Sequence, residues 1–222
     1  MSVRGKVAFE MGIIVVLTTV FLVLFPKRNP LVDAGLAGFA LLLIAISARY
    51  TKRVIWAASP PPRIIKNRFT RCLVVILWIT VPAVVLFFLI GVLMGYIRGG
   101  WGFVAERFLD WKILAVFGAY MLWALIQQAL FQFYLLGRLL VLAPKTKPMI
   151  AVVVTGVAIS LVHLPDLWTV AATAIAGLIW TAIYYRFRLL LPLSFSHAAL
   201  GTAFYYGLLG HDLAAEWKTI FP

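Results

Sequence analysis

From Cys72 to Ile97 the chain runs for 26 residues without a charged side chain. About 20 apolar residues cross a hydrocarbon core as a helix, and inside lipid a helix satisfies every backbone polar group within one segment. Such a run commits the chain to a membrane. The remainder agrees, since 64% of the 222 residues are hydrophobic and 12% are charged, against about half and about a quarter in a soluble domain.

Apolar runs between breakers mark seven spans: Val7 to Phe25, Leu31 to Ser47, Cys72 to Ile97, Ile113 to Leu136, Met149 to Leu164, Leu167 to Tyr185 and Leu189 to Leu209. The expectation is an all-α, polytopic helical membrane protein of about seven transmembrane helices. It is read as a single membrane domain over 1–222, with N-terminal helices and a basic inner loop in 1–110 and motif-bearing helices in 111–210. The first run has a basic prefix, Arg4 and Lys6, but no small-residue cleavage site, and it ends in Phe25-Pro26-Lys27-Arg28. It reads as a retained anchor rather than a signal peptide.

A net charge of +13 would suggest nucleic acid in a soluble protein. Here the charges flank apolar spans, where they report orientation and contact with anionic lipid, so no nucleic-acid partner is expected. The bias of Lys and Arg puts the N-terminus in the cytoplasm and the C-terminus outside, in a plasma or inner cell membrane. The loop 49–71 carries Ser59-Pro60-Pro61-Pro62 and then basic residues alternating with Ile64, Ile65 and Phe69, a pattern suited to lying on anionic headgroups. Arg98 to Asp110, with its Gly99-Gly100-Trp101-Gly102 turn, reads as an interfacial helix. The lone Cys72 reads as apolar filler, Glu10 and Asp33 as solvated caps, and Asp166 as a turn residue.

Polar groups at membrane depth are costly and usually face a bundle interior or water, so they mark candidate function. Three clusters stand out: Gln127-Gln128 with Gln132, Ser160 to Asp166 with His163 at its centre, and Ser194-Phe195-Ser196-His197 followed by Gly201 and Tyr205. Gln128 and Gln132 share a helix face, as do His197, Gly201 and Tyr205. At about 1.5 Å per residue, Gln128 stands about 15 Å above Arg138, His197 about 13 Å above Arg188 and His163 about 24 Å above Lys147. The clusters are therefore expected to line one buried cavity near the midplane. Ser160, Ser194 and Ser196 suit helix-packing hydroxyls better than nucleophiles.

The order of these motifs resembles the CAAX protease and bacteriocin-processing family of membrane endopeptidases, also called the CPBP or Abi family. Its three motifs are Glu-Glu-x-x-x-Arg, Phe-x-x-x-His and His-x-x-x-Asn. The matching segments here are Gln127-Gln128-Ala-Leu-Phe131-Gln132, Ile159-Ser-Leu-Val-His163 and His197-Ala-Ala-Leu-Gly201. The resemblance covers Trp111 to Tyr206, and the aromatic Phe131 before the Arg position is also typical. It implies a CPBP-like core in the last four helices, with Gln127, Gln128, His163 and His197 at the catalytic positions and Gln132, Ser196 and Gly201 contacting substrate. In the family the first glutamate and the second-motif histidine activate water, and the third-motif pair stabilises the oxyanion.

The departures fall on the chemistry, since Gln replaces both glutamates and the arginine, and Gly replaces the final amide. An amide side chain can orient water but has no useful basicity. Three readings stay open. The first is an endopeptidase of membrane-embedded or lipid-modified peptides, with His163 as base. The second is a non-catalytic relative that binds such a peptide or partner, and the third is a small transporter subunit. No cofactor is expected, because a metal on His163 and His197 would have two protein ligands where zinc takes three or four.

Overall fold

The computed structural model describes residues 3–24, 67–143, 147–164 and 166–209, together with isolated helical positions between 35 and 46. These residues are helical throughout, apart from short turns. In chain order they form α1 (Val3–Leu24), α2 (Arg68–Phe108), α3 (Lys112–Gln128), a π-helical segment π1 (Ala129–Leu135), α4 (Leu136–Leu142), α5 (Pro148–Leu161), α6 (Leu167–Phe187), α7 (Leu191–Thr202) and a second π-helical segment π2 (Ala203–Leu209). Three helices are long and apolar enough to cross a membrane, at Arg68–Phe108, Ile113–Leu142 and Leu167–Phe187. The all-α membrane architecture is thus shown, while three of the seven expected spans meet the length criterion among the described residues. The span Leu31 to Ser47 is described only at isolated positions, and Asp33 and residues 49–66 of the basic loop lie outside the described residues.

The chain divides into two compact units, residues 1–66 with 128–188 and residues 67–127 with 189–222. In the first unit α1 packs on α4 through a stripe at helical spacing, Val7, Met11 and Ile14 against Leu135, Val141 and Leu142. Arg4 lies one turn earlier on this stripe and donates to the carbonyls of Val141 (3.2 Å) and Ala143 (3.4 Å), satisfying the exposed end of α4. Glu10 completes the face. Read as a solvated cap in the sequence, it instead pairs with Arg138 at 3.2 Å and accepts a hydrogen bond from the Tyr134 hydroxyl. Arg138 is correspondingly buried inside α4 and does not mark the headgroup level. Measured from Leu142, where α4 ends, Gln128 stands 14 residues away, or about 21 Å.

The hairpin of α5 and α6 is built on two glycines. A Cβ on Gly156 would lie 2.9 Å from the Cα of Leu178, and one on Gly177 would lie 2.8 Å from the Gly156 carbonyl oxygen. The two backbones touch there, the small-residue contact by which membrane helices gain packing energy without a hydrophobic driving force. Pro148 opens α5, where its missing N–H costs nothing. Asp166 caps α6 by accepting from the N–H groups of Trp168 (3.1 Å) and Thr169 (3.3 Å) and from the Thr169 hydroxyl. The turn expected at this residue is a helix N-cap.

In the second unit α2 is two helices, because Gly100 has φ 69° and ψ −168°, a conformation that only glycine adopts without strain. The phenyl rings of Phe88 and Phe108 are 5.7 Å apart, whereas 20 residues of straight helix would separate them by about 30 Å. Residues 101–108 therefore turn back along residues 88–99. Arg107 donates to the Tyr206 carbonyl and the Tyr206 hydroxyl returns a bond to the Arg107 carbonyl at 2.9 Å, tying the returning segment to π2. The foot of α2 holds Cys72 fully buried, as expected of apolar filler.

Candidate functional site

The first unit carries Gln128, Gln132 and His163. Gln128 closes the regular part of its helix, and π1 begins at the next residue. A π-helical turn bonds i to i+5 and inserts an extra residue into the α-helical register, a device frequent at functional sites. Gln128 and Gln132 are both buried, as a shared inward face requires. The Gln132 amide nitrogen donates to the Thr181 hydroxyl at 3.0 Å, and that hydroxyl donates in turn to the Gly177 carbonyl at 2.6 Å. Because the hydroxyl hydrogen is committed to the carbonyl, the oxygen must accept from Gln132, which fixes the amide orientation. Gln132 Oε1 is then a buried acceptor with no donor among the described residues.

His163 is 6% exposed and sits in the turn just past α5. Its Nδ1 lies 2.9 Å from the carbonyl oxygen of Ile159. A carbonyl only accepts, so Nδ1 carries the proton and, in the neutral ring, Nε2 carries the lone pair. This i to i−4 bond links the two ends of the second motif, Ile159 and His163. The backbone N–H of Asp166 donates to the His163 carbonyl at 3.1 Å, closing the turn. The Asp166 carboxyl is held below the usual carboxylate range, first by the Thr169 hydroxyl, with smaller contributions from the two capping N–H groups and the charge of His163.

The second unit carries Gln127, Ser196, His197 and Gly201. Gln127 is half-buried on the last turn of α3, and its Oε1 is buried without a donor among the described residues. His197, 4% exposed on α7, meets the ring of Tyr120 edge-on, with centroids 5.9 Å apart and planes at 78°. Phe117 and Phe195 form a second edge-on pair at 5.6 Å, so two aromatic contacts fix α3 against α7. Ser196 shares a 2.7 Å hydrogen bond with Thr80 of α2, and Ser160 and Ser194 bond to carbonyls of their own helices or turns. The serines thus act as packing hydroxyls. Among the described residues, no three His, Cys, Asp or Glu side chains gather as a metal-binding group.

Two features of these surroundings escaped the sequence. Tyr120 was hidden among apolar neighbours, although its spacing of seven residues from Gln127 puts both on one face of α3. The Glu10, Tyr134 and Arg138 cluster joins residues more than 120 positions apart, which no local pattern shows.

Residues 109–203 match the family model described as type II CAAX prenyl endopeptidase Rce1-like. Every candidate residue falls inside this stretch, a little under half of the chain, so the resemblance read from the three motifs is shown for the segment that carries them. The helices long and apolar enough to cross a membrane make this an integral membrane protein, and its residues 109–203 are similar to the CAAX-protease-like, intramembrane-protease family. Searches of curated proteins and of solved structures each found no match.

Proposed function

We propose that the protein is an intramembrane endopeptidase of the CAAX-processing type, acting on membrane-associated or lipid-modified peptides, with its N-terminus in the cytoplasm. The observation that carries this reading is the bond from His163 Nδ1 to the Ile159 carbonyl, which presents Nε2 as a base without any carboxylate. In this mechanism Nε2 takes a proton from water, the resulting hydroxide adds to the scissile carbonyl, and His163 returns the proton to the departing amine as the C–N bond breaks. Gln128, in the same unit as His163, orients the water. No cofactor takes part.

A second reading, a non-catalytic peptide binder, is favoured by the buried acceptor Gln132 Oε1, which suits an N–H group of a bound backbone. The two are separated by incubating the purified protein with a farnesylated peptide ending in the four-residue CAAX sequence and measuring release of the terminal tripeptide. Release by the parent that disappears in His163→Ala supports the enzyme. Binding without release, or release that begins only with Gln127→Glu and Gln128→Glu together, establishes the binder.

A further inference from the structure

The foot of α6 holds a cation without an anion. Arg188 ends this helix in the left-handed conformation, φ 53° and ψ 42°, with its N–H donating to the Tyr184 carbonyl at 2.8 Å. Helices usually place glycine there, because an L side chain is strained. The guanidinium carbon lies 5.6 Å from the centre of the Tyr184 ring and 5.4 Å from that of Tyr185, so two rings seat the charge. Its Nη2 is buried with no hydrogen-bond acceptor among the described residues. A buried charged donor left unpaired is costly, which calls for an acceptor from outside the chain. The unit supplies no carboxylate: of its described acidic residues, Glu10 pairs with Arg138 and Asp166 caps the opposite end of α6. The 21 residues of α6 run about 31 Å, the thickness of a hydrocarbon core, so Arg188 stands at the level of headgroup phosphates. The approach of Gly156 to Leu178 sets the register of the hairpin, and nine residues from that contact along each antiparallel helix Lys147 lies level with Phe187. Lys147 and Arg186 are both exposed at this end.

We propose that Arg188 forms a binding site for the phosphate of one anionic glycerophospholipid, with Tyr184 and Tyr185 holding the guanidinium and Lys147 and Arg186 favouring a negative headgroup over a zwitterionic one. The planar guanidinium matches two phosphate oxygens at once, and each nearby basic residue adds to the attraction of a negative headgroup. The site lies at the opposite end of the α5 and α6 hairpin from His163. It serves the fold equally whether the chain cleaves a peptide or only holds one, since the bound lipid supplies the counter-charge that the unit lacks.

The test is native mass spectrometry of the detergent-purified full chain titrated with phosphatidylglycerol, with thermal unfolding of each variant alongside. The parent should retain one phosphatidylglycerol more tightly than it retains phosphatidylcholine, and its unfolding midpoint should rise as phosphatidylglycerol is added. Arg188→Gly, which suits the left-handed backbone, should weaken retention about tenfold, the size of one charge-assisted hydrogen bond. Its midpoint without lipid should equal or exceed the parent's, which a merely structural arginine would not allow. Arg188→Lys keeps the charge without the paired donors and should fall between the two. Equal retention of phosphatidylglycerol by the parent and Arg188→Gly would overturn the assignment, as would equal retention of phosphatidylcholine by the parent. A midpoint raised as much by inorganic phosphate as by phosphatidylglycerol would assign the guanidinium to a free anion and overturn the lipid.

Discussion

Replacing Glu10 with alanine removes one partner of an ion pair whose arginine side chain is 4% exposed and whose carboxylate is 33% exposed. Breaking a fully buried pair costs about 3–5 kcal/mol, because the remaining charge is stranded; water reaching the Glu10 side reduces this to about 2 kcal/mol. The Tyr134 hydroxyl loses its acceptor in the same step, adding about 1 kcal/mol. A total of about 3 kcal/mol in a chain of this size lowers the unfolding midpoint by about 6–12 °C. The measurement is far-UV circular dichroism of the detergent-solubilised protein during heating, for Glu10→Ala, Arg138→Met and the double variant. The double variant should be less destabilised than the sum of the singles, since neither charge is then stranded. Hydrogen exchange should rise first along α1, which the pair fastens to α4. A midpoint shift for Glu10→Ala under about 2 °C, or strict additivity in the cycle, would refute the reasoning, because a solvated cap behaves that way.

Gly156→Ala should destabilise by about 1–3 kcal/mol in the same assay, since its Cβ would lie 2.9 Å from the Leu178 backbone, whereas Gly118→Ala, with nothing within 4 Å, should be neutral or slightly stabilising. Asp166 has a lowered folded-state pKa, so its capping contribution is complete above its unfolded pKa of about 3.9 and is lost as pH falls through the folded value. Acid titration of Asp166→Asn should show a shallower loss of stability below about pH 4 than the parent shows; identical acid limbs would contradict the cap.

Much of the fold was legible because lipid leaves few options. The run from Cys72 to Ile97 could only be a helix, and the Gly99-Gly100-Trp101-Gly102 turn marked a break after it, although the turning back of residues 101–108 along α2 was not read from it. The histidines were legible as candidates through burial, since an apolar run rarely carries a ring that needs hydrogen bonds. The depth scale failed at Arg138, where counting from a basic residue assumes that it faces headgroups. Arg138 faces Glu10 instead, and a buried counter-charge 128 residues away is invisible to local counting.

By itself the sequence determined that this chain lives in a membrane as helices, and it singled out Gln127, Gln128, His163 and His197 as polar candidates within apolar runs. Those conclusions follow from hydropathy and spacing, which act along the chain. Tertiary structure alone decided which ring nitrogen of His163 holds the lone pair, which way the Gln132 amide points, and why position 201 is glycine. Each depends on an atom contributed from elsewhere in the fold: the carbonyl of Ile159 folded back by one turn, the hydroxyl of Thr181, and the ring of Tyr120, which fills the volume that a side chain at position 201 would need. Hydrogen bonds and excluded volume act over a few ångströms in space, so only the folded chain reveals them.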